Sequence, residues 1–299
     1  MTDPLVIETA DLLKSYEGVE AVRGLNLQVP AGSICGFLGR NGAGKTTTIK
    51  ILLGMVRPTR GIARVLGLPA DAPDASLEIR RRTGFVSEEK DLLDTMGVDE
   101  ILRFTASFSP RWRTDLEKRF LQAFELPADR KVKSLSRGMR TKLALLLALC
   151  RGADLLILDE PTSGLDPAMN EEVLKILVGH VAREGITVFF SSHQIAEVDQ
   201  IADHVAIIHD GRIARAGALD DLRESFRRIQ VVFPGDAPET TFRAPGVERT
   251  WRKGRVVTVL SSAGAEQIVD EAREMGPTSV DVTPVTLKEI FLESVTGEG

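Results

Sequence analysis

The run GRNGAGKTT, from Gly39 to Thr47, limits what this chain can fold into more than any other stretch of it. It fits G-x-x-x-x-G-K-[ST], a loop whose backbone N–H groups cradle phosphates while its lysine reaches the outer ones. In an arbitrary Gly-rich turn that pattern would mean little. Here the apolar SICGFL (33–38) precedes it and the helix-like TTTIKILLGM follows. Strand, loop and helix therefore come in the order that puts phosphate at a helix N-terminus. The cradle is Gly39, Arg40, Asn41, Gly42, Ala43 and Gly44, closed by Lys45, Thr46 and Thr47. Lys45 is matched to the β- and γ-phosphates of a nucleotide, and the Thr46 hydroxyl to a Mg²⁺ ion.

A second stretch supplies what such a loop needs. LLILDEP (155–161) is an apolar run suited to a strand buried on both faces, ending in adjacent carboxylates. Asp159 is placed to hold the Mg²⁺ shell, and Glu160 to polarise an attacking water. A third stretch, KSLSRGMRTKLALLLAL (133–149), opens with Ser134, Ser136 and Gly138 ahead of a helical apolar pattern. That is another helix start shaped for an anion, surplus within a chain that already has a stronger phosphate loop.

The rest of the chain organises around these motifs. Strands are expected at Val6 to Thr9, Leu25 to Val29, Ile186 to Ser191 and Val205 to His209, the last turning through Asp210-Gly211 into Arg212 to Ala214. Helices are expected over Glu171 to Glu184 and Ile195 to Ala202, and over Ile101 to Leu126 with a break at Pro110. Arg57 to Gly67 reads as turn-rich. Alternating strands and helices of this kind predict an α/β fold with a parallel sheet. After about Leu219 the texture changes. A charged helix (219–229), strands at 230–233, 255–260 and 279–282, and helices at 263–275 and 287–295 predict a small α+β domain. The expected division is 1–219 and 220–299, with a helical subdomain at about 88–150.

Composition excludes several classes. Net charge is −5 and the pI about 5.6, so the chain lacks the basic footprint of a nucleic-acid binder. MTDPLVIETA has neither the positive nor the apolar region of a secretory signal, and LALLLALC (143–150) falls well short of a membrane span. Cys35 and Cys150 make no disulfide framework and read as inert buried thiols in a reducing, cytoplasmic setting. Phe104, Phe108 and Trp112 fall at helical spacing around Pro110. They read first as the core of the helical subdomain, and alternatively as a groove for a partner helix.

Taken together, these motifs resemble the ATP-binding-cassette ATPases over roughly the first 215 residues. Tyr16, in KSYEGVEAV, matches the aromatic on which adenine stacks. Gly39 to Thr47 match the phosphate loop, and LSRGMR (135–140) matches the family signature through Ser136, Arg137, Gly138 and Met139. Asp159 and Glu160 match the Mg²⁺ and catalytic carboxylates. SGLD (163–166), with Asp166, matches the loop that crosses between subunits, and His193 in SSHQIAE matches the switch histidine. The resemblance implies a P-loop nucleotide-binding domain with a helical subdomain that binds ATP and Mg²⁺ and hydrolyses ATP. It implies a homodimer, or a heterodimer with a second such ATPase, in which the signature of one subunit closes on the γ-phosphate held by the other.

Two departures stand out. The family usually carries a glutamine where TGFVSEEKDLLDTMGV has Glu88. Glu88 is read either as a third Mg²⁺-side ligand or as an outward loop residue that leaves the role vacant. Arg137 and Met139 stand where glycine and glutamine are common, as in cassettes of drug and antibiotic exporters. The resemblance therefore implies a subunit on the cytoplasmic face of the plasma membrane that drives a separate permease and exports a drug, antibiotic or lipid-like substrate. The C-terminal domain is read as regulatory, dimerising or merely stabilising. The competing class is a soluble cassette ATPase acting on DNA or ribosomes. DNA-repair members need long coiled coils between Lys45 and Ser136, and translation members need two cassettes, so this single compact one fits neither. A small-molecule kinase would leave LSRGMR and SGLD unexplained.

Overall fold

In the computed structural model, residues 4–296 are described; the outermost residues of both expected domains, including Met1 to Asp3 of the N-terminal segment, lie outside them. The described residues up to Ala216 form one compact unit, and those from Gly217 onward form a second.

The first unit is built on two sheets. In the first, β1 (Leu5–Tyr16) pairs antiparallel with β2 (Val19–Pro30), folding back through the left-handed Glu17 and Gly18. β3 (Ile34–Leu38), wholly buried, leads into the phosphate-loop segment and α1 (Lys45–Leu52). The chain then returns to the first sheet as β4 (Arg60–Val65), beside β1, and the short β5 (Leu68–Pro69), giving the order β2-β1-β4-β5. The turn-rich reading of Arg57 to Gly67 is thus corrected. In β4, Arg60, Gly61 and Ile62 face solvent and only Ala63 and Val65 are buried, so the strand lacks a long apolar alternation.

The second sheet carries the site. After α2 (Pro73–Arg82), β6 (Thr83–Val86) runs at one edge. The helical insertion follows: α3 (Val98–Ser107), α4 (Thr114–Ala123), a 3₁₀ turn at Val132–Ser134 and α5 (Arg137–Leu149). Then come β7 (Leu155–Asp159), α6 (Pro167–Glu184), β8 (Thr187–Ser192), α7 (Ile195–Ile201), β9 (His204–His209) and β10 (Arg212–Ala218). The order is β10-β9-β3-β8-β7-β6, with β3, β6, β7, β8 and β9 parallel. Parallel strands buried on both faces are near-continuously apolar, which is why 34–38, 155–159 and 187–192 read as strands. A core of Ile7, Leu25 and Val65 from the first sheet and Phe37, Ile157, Phe189 and Ile208 from the second encloses Ile49 and Leu52 of α1.

In the second unit, α8 (Leu219–Ser225) stops where Phe226 turns extended, and β11 (Arg227–Val232) begins. The single helix expected over 219–229 is corrected accordingly, because Ile229 and Val231 alternate inward with strand period. β12 (Val247–Lys253), β13 (Val256–Ser261), α9 (Ala265–Glu274), β14 (Ser279–Pro284) and α10 (Leu287–Thr296) complete an antiparallel sheet of order β12-β13-β11-β14. Ile268 and Ala272 of α9 pack with Ile229, Val231, Val257 and Val259.

One close approach fixes the signature helix on the sheet. A Cβ at Gly84 in β6 would stand 2.7 Å from the Ala148 carbonyl oxygen of α5 and 2.5 Å from Leu156 Cδ2. Gly84→Ala is therefore expected to destabilise the protein by about 1–3 kcal/mol, as core overpacking does. A lowered denaturant midpoint would record it, and an unchanged midpoint would refute the close packing of α5 on β6.

Candidate functional site

The site lies at the carboxyl ends of the parallel strands, where open α/β sheets bind ligands. β3 ends at Leu38, and the loop from Gly39 turns into α1 with Gly42 and Gly44 at φ +82° and +107°. Gly44 needs both its dihedral and its missing side chain, since a Cβ there would meet the Ala21 carbonyl oxygen of β2 at 2.5 Å. The loop is also pinned by Gly39 N–H donating to Ser192 O (3.2 Å) and by Gly211 N–H donating to Ala43 O (3.0 Å). Lys45 is only 6 % exposed. Its ammonium donates to Gly39 O (2.8 Å) and Arg40 O (3.4 Å) and pairs with Glu160 Oε1 at 3.2 Å.

Glu160 is the centre of the arrangement. It follows β7 directly, its side chain is 5 % exposed, and its backbone is left-handed at φ +47°. For a residue with a Cβ that conformation costs about 1–2 kcal/mol, so the surroundings must impose it. Glu160 N–H donates to Ser191 Oγ (3.0 Å), and Ser191 Oγ in turn donates to Asp159 Oδ1 (2.6 Å). The parallel register sets Ser191 beside Asp159. On the side chain, Oε2 lies 2.8 Å from His193 Nδ1, which donates to it. Oε1 is buried with no hydrogen-bond donor in good geometry, only the Lys45 ammonium. A buried carboxylate oxygen paired with an ammonium from a phosphate loop, and otherwise unsatisfied, is where a water donating its O–H would be received.

The structure thus brings Gly39 to Thr47, Asp159, Glu160 and His193 together. Tyr16 ends β1 on the hairpin whose β2 strand passes behind Gly44; its ring is 44 % exposed, with Lys14 Nζ 4.8 Å from the centroid. Ser136 is exposed and caps α5, its Oγ accepting from Met139 N–H (3.2 Å). Gly138 lets α5 approach α6, since a Cβ would fall 2.8 Å from Met169 Sδ. The Arg137 guanidinium lies over Gly164, where a Cβ would stand 2.2 Å from Cζ. Asp166 caps α6 through Met169 N–H (3.0 Å). Glu88 is exposed and lines a cavity of about 420 Å³ with Glu89, Lys90, Arg137, Arg140, Thr141 and Ser163.

Three residues escape a reading of the sequence alone. Ser191 sits in a strand that reads simply as buried, though the polar pair Ser191-Ser192 ending an apolar run is a usable signal. Lys90 sits in the acidic run EEKD and looks solvated, yet it is 6 % exposed. Burial pushes its pKa down to about 8 against the opposing pull of Asp159, Glu88 and Glu160. Glu197, also buried, accepts from Thr162 Oγ1, Asn170 Nδ2 and Ser192 Oγ, each at 2.7 Å. It thereby ties the segment after Glu160 to α6 and β8. Two bland readings resolve as well. Burial pushes both Cys35 and Cys150 up to about 12, which leaves them protonated and inert. Phe104 and Phe108 are instead 44 % and 64 % exposed, stacked edge to face at 5.1 Å, so the reading of them as subdomain core is corrected. Phe104 lines a groove of about 520 Å³ with Phe85, Leu93 and Leu147.

A parallel sheet with a phosphate loop, a buried Lys45–Glu160 pair met by the exposed His193, and a helical insertion defines a P-loop nucleotide hydrolase. The sequence carries the matter further: residues 22–163 match the family model described as ABC transporter. The bacitracin transport ATP-binding protein BcrA of Bacillus licheniformis is 37% identical over 225 residues, covering 75% of this chain and 73% of that protein. The daunorubicin/doxorubicin resistance ATP-binding protein DrrA of Streptomyces peucetius is 37% identical, with 73% and 67% covered. The ABC transporter ATP-binding protein YtrB of Bacillus subtilis (strain 168) is 24% identical over 98% of this chain and 99% of its own. Among solved structures, an ATP binding subunit of an ABC transporter superposes with TM-score 0.66 at 30% identity, covering 73% of this chain and 92% of that one. The dimeric cassette MJ0796 shares the fold at TM-score 0.66, with 24% identity over 71% of this chain and 98% of its own. The chain belongs to the ABC transporter family, as an ATP-binding subunit with ATPase activity.

The Glu197 hub gives a direct test of how the site is held. Glu197→Gln replaces one of the two accepting oxygens by an amide NH2, opposing either Ser192 or the Thr162–Asn170 pair, and should cost about 1–3 kcal/mol. Equal unfolding midpoints for the variant and the wild type would remove Glu197 from that role.

Proposed function

We propose that two copies of this chain, or one copy and a second ATPase of the same kind, close head to tail around two ATP molecules. ATP-driven closure and hydrolysis-driven reopening then move a membrane permease carried on another chain. The observation that carries the reading is the buried contact of Lys45 with Glu160, with His193 on the other carboxylate oxygen. An ammonium suited to phosphate and a carboxylate suited to water are in contact at 3.2 Å, and a bound γ-phosphate would separate them.

In this reading Tyr16 stacks on the adenine, and the amides from Gly39 to Thr47 hold the phosphates. Lys45 leaves the Gly39 and Arg40 carbonyls for the β- and γ-phosphate oxygens. Glu160 accepts a proton from the attacking water, and His193 keeps that carboxylate turned toward it through Nδ1–H. Ser136, Arg137, Gly138 and Met139 serve the partner's γ-phosphate, and Asp166 lies on the loop that crosses to the partner. The Thr46 hydroxyl and the Asp159 carboxylate are hard oxygen donors of the kind Mg²⁺ takes, and Ser191 already orients Asp159. When bound, Mg²⁺ would neutralise charge developing on the phosphates. Glu88, exposed beside Arg137 and Arg140, is assigned to the outer edge of that shell.

The transported substrate is proposed to be a drug, antibiotic or lipid-like molecule moved outward. The relatives named for bacitracin transport and for daunorubicin/doxorubicin resistance support that choice. The groove beside Phe104 is proposed to receive the permease, which puts the protein on the cytoplasmic face of the plasma membrane. Among the described residues no helix is long and apolar enough to cross a membrane, so the permease must supply that part. The second unit is proposed as an accessory domain that regulates or supports the dimer.

Two variants test the reading. Glu160→Gln should slow ATP turnover by about 10²–10⁴-fold, the usual contribution of a positioned general base, while ATP binding survives and dimers accumulate in light scattering. Turnover at the wild-type rate would remove Glu160 from its role. Ser136→Arg should leave ATP affinity intact and abolish hydrolysis, at a stability cost of only about 1 kcal/mol for the lost helix cap. Loss of ATP binding by that variant would place the signature in the wrong chain. Co-purification with a membrane protein is the expected partner result, whereas recovery with ribosomes or DNA would overturn the transport assignment.

A further inference from the structure

The loop after β6 carries the family's usual glutamine position at Glu88, but the residue it drives into the site is Lys90. Glu88 and Glu89 are exposed and Lys90 is buried. The backbone of Lys90 is left-handed at φ +52°, as is that of Glu160 at +47°. Its ammonium donates to the Glu160 carbonyl oxygen at 2.6 Å and to that of Glu88 at 3.1 Å, and reaches the Asp159 carbonyl oxygen at 3.5 Å. A charge-assisted bond of 2.6 Å is among the strong ones, and here it closes on the peptide that follows the catalytic carboxylate.

We propose that Lys90 is a positioning residue for ATP hydrolysis: its buried ammonium clamps the Glu160 carbonyl and so fixes the direction in which the Glu160 carboxylate points. Three contacts hold that residue's backbone. Ser191 Oγ accepts from its N–H, while Lys90 Nζ at 2.6 Å and Ser163 N–H at 3.1 Å both donate to its C=O. A left-handed residue that would otherwise relax is thus fixed from both sides, with the shorter, charged bond coming from Lys90. The carboxylate then meets Lys45 and His193 without searching.

The far end of the same loop is tied to the signature helix. Arg140 of α5 pairs with Asp94 at 2.6 Å, Lys133 N–H donates to Asp94 O (3.2 Å), and Val132 N–H donates to Met96 O (2.9 Å). Contacts thus run from α5, capped by Ser136, through residues 90–96 to the backbone of Glu160. Lys90 is the last link of that path.

The inference rests on the reading of Glu160 as the carboxylate that directs water, and the experiment separates the two. In the full-length protein, Lys90→Met should lower kcat at least tenfold while KM for ATP and nucleotide affinity stay within about threefold. Lys90→Arg, which keeps a donor of sufficient length, should recover most of the rate. Added to Glu160→Ala, Lys90→Met should change the residual rate less than twofold, because the residue it positions is gone. A Lys90→Met protein with wild-type kcat overturns the proposal, and so does an equal further loss in the Glu160→Ala background, which marks a merely structural role. If Lys90→Met does not fold, Lys90→Gln takes its place, its amide being one bond too short to reach. Failure of both to fold also assigns Lys90 to structure alone and refutes the proposal. A Glu160→Ala protein that hydrolyses ATP normally refutes the reading of Glu160 instead, whatever Lys90 does.

Discussion

A carboxylate buried at the end of a parallel strand is the constraint on which the site depends. A charge in that position, unpaired, would cost several kcal/mol and would be expelled or neutralised. Glu160 stays because Lys45 stands 3.2 Å from one oxygen and His193 2.8 Å from the other. These partners come from the phosphate loop and from the residue just past β8, and the parallel sheet delivers both to one edge. The left-handed backbone at Glu160 adds a cost of its own. That such a conformer persists shows the surroundings over-determine it, through Ser191 on its N–H and Lys90 and Ser163 on its C=O.

Ion pairing here serves geometry more than stability. Replacing a buried ion pair by apolar residues is often neutral or favourable, whereas removing one partner is strongly costly. A fold selected only to be stable would not retain Lys45, Lys90, Asp159 and Glu160 in one buried cluster. The packing behind the cluster is correspondingly intolerant. Gly39 and Gly44 sit where a Cβ would press on Ile208 Cγ2 at 2.6 Å and on the Ala21 carbonyl at 2.5 Å. The loop therefore cannot retreat, and its amides stay turned toward the place of the phosphates.

Much of this was legible in the sequence, for a physical reason. Phosphate loops, buried parallel strands and helix caps are local patterns, so residues 33–54 and 155–160 announce their own structure. What failed was long-range or two-faced. β4 was hidden because only Ala63 and Val65 are buried, and α8 was overextended because its charged residues run straight into the strand residues Arg227 and Arg228. Phe104 and Phe108 looked like core because spacing reports a helix face and not what covers it. Lys90 was invisible for the opposite reason. In EEKD every residue looks solvated, and only the left-handed turn at Lys90 reverses the order of exposure within that run. Glu197 reads as an ordinary helix charge until Thr162, Asn170 and Ser192 are seen to converge on it.

The two anion-shaped helix starts can now be weighed against each other. The first, at Gly44, faces Glu160, Asp159 and His193 and has the means to act on what it binds. The second, at Ser136, is exposed, and its neighbours are of another kind: Arg137 lies over Gly164, Gly138 lies against Met169, and Arg140 pairs with Asp94. Those contacts fasten it to the segment of Asp166 and to the loop that carries Lys90. A helix start joined so firmly to the parts that hold the catalytic carboxylate, yet lacking a carboxylate of its own, is suited to report on a phosphate bound elsewhere. Under the head-to-tail arrangement proposed above, that phosphate is the partner's. In that arrangement α5, Asp94 and Lys90 form the set of contacts that joins this helix start to the catalytic carboxylate. The second helix start is the input of that path, and its exposure is what allows the partner to reach it.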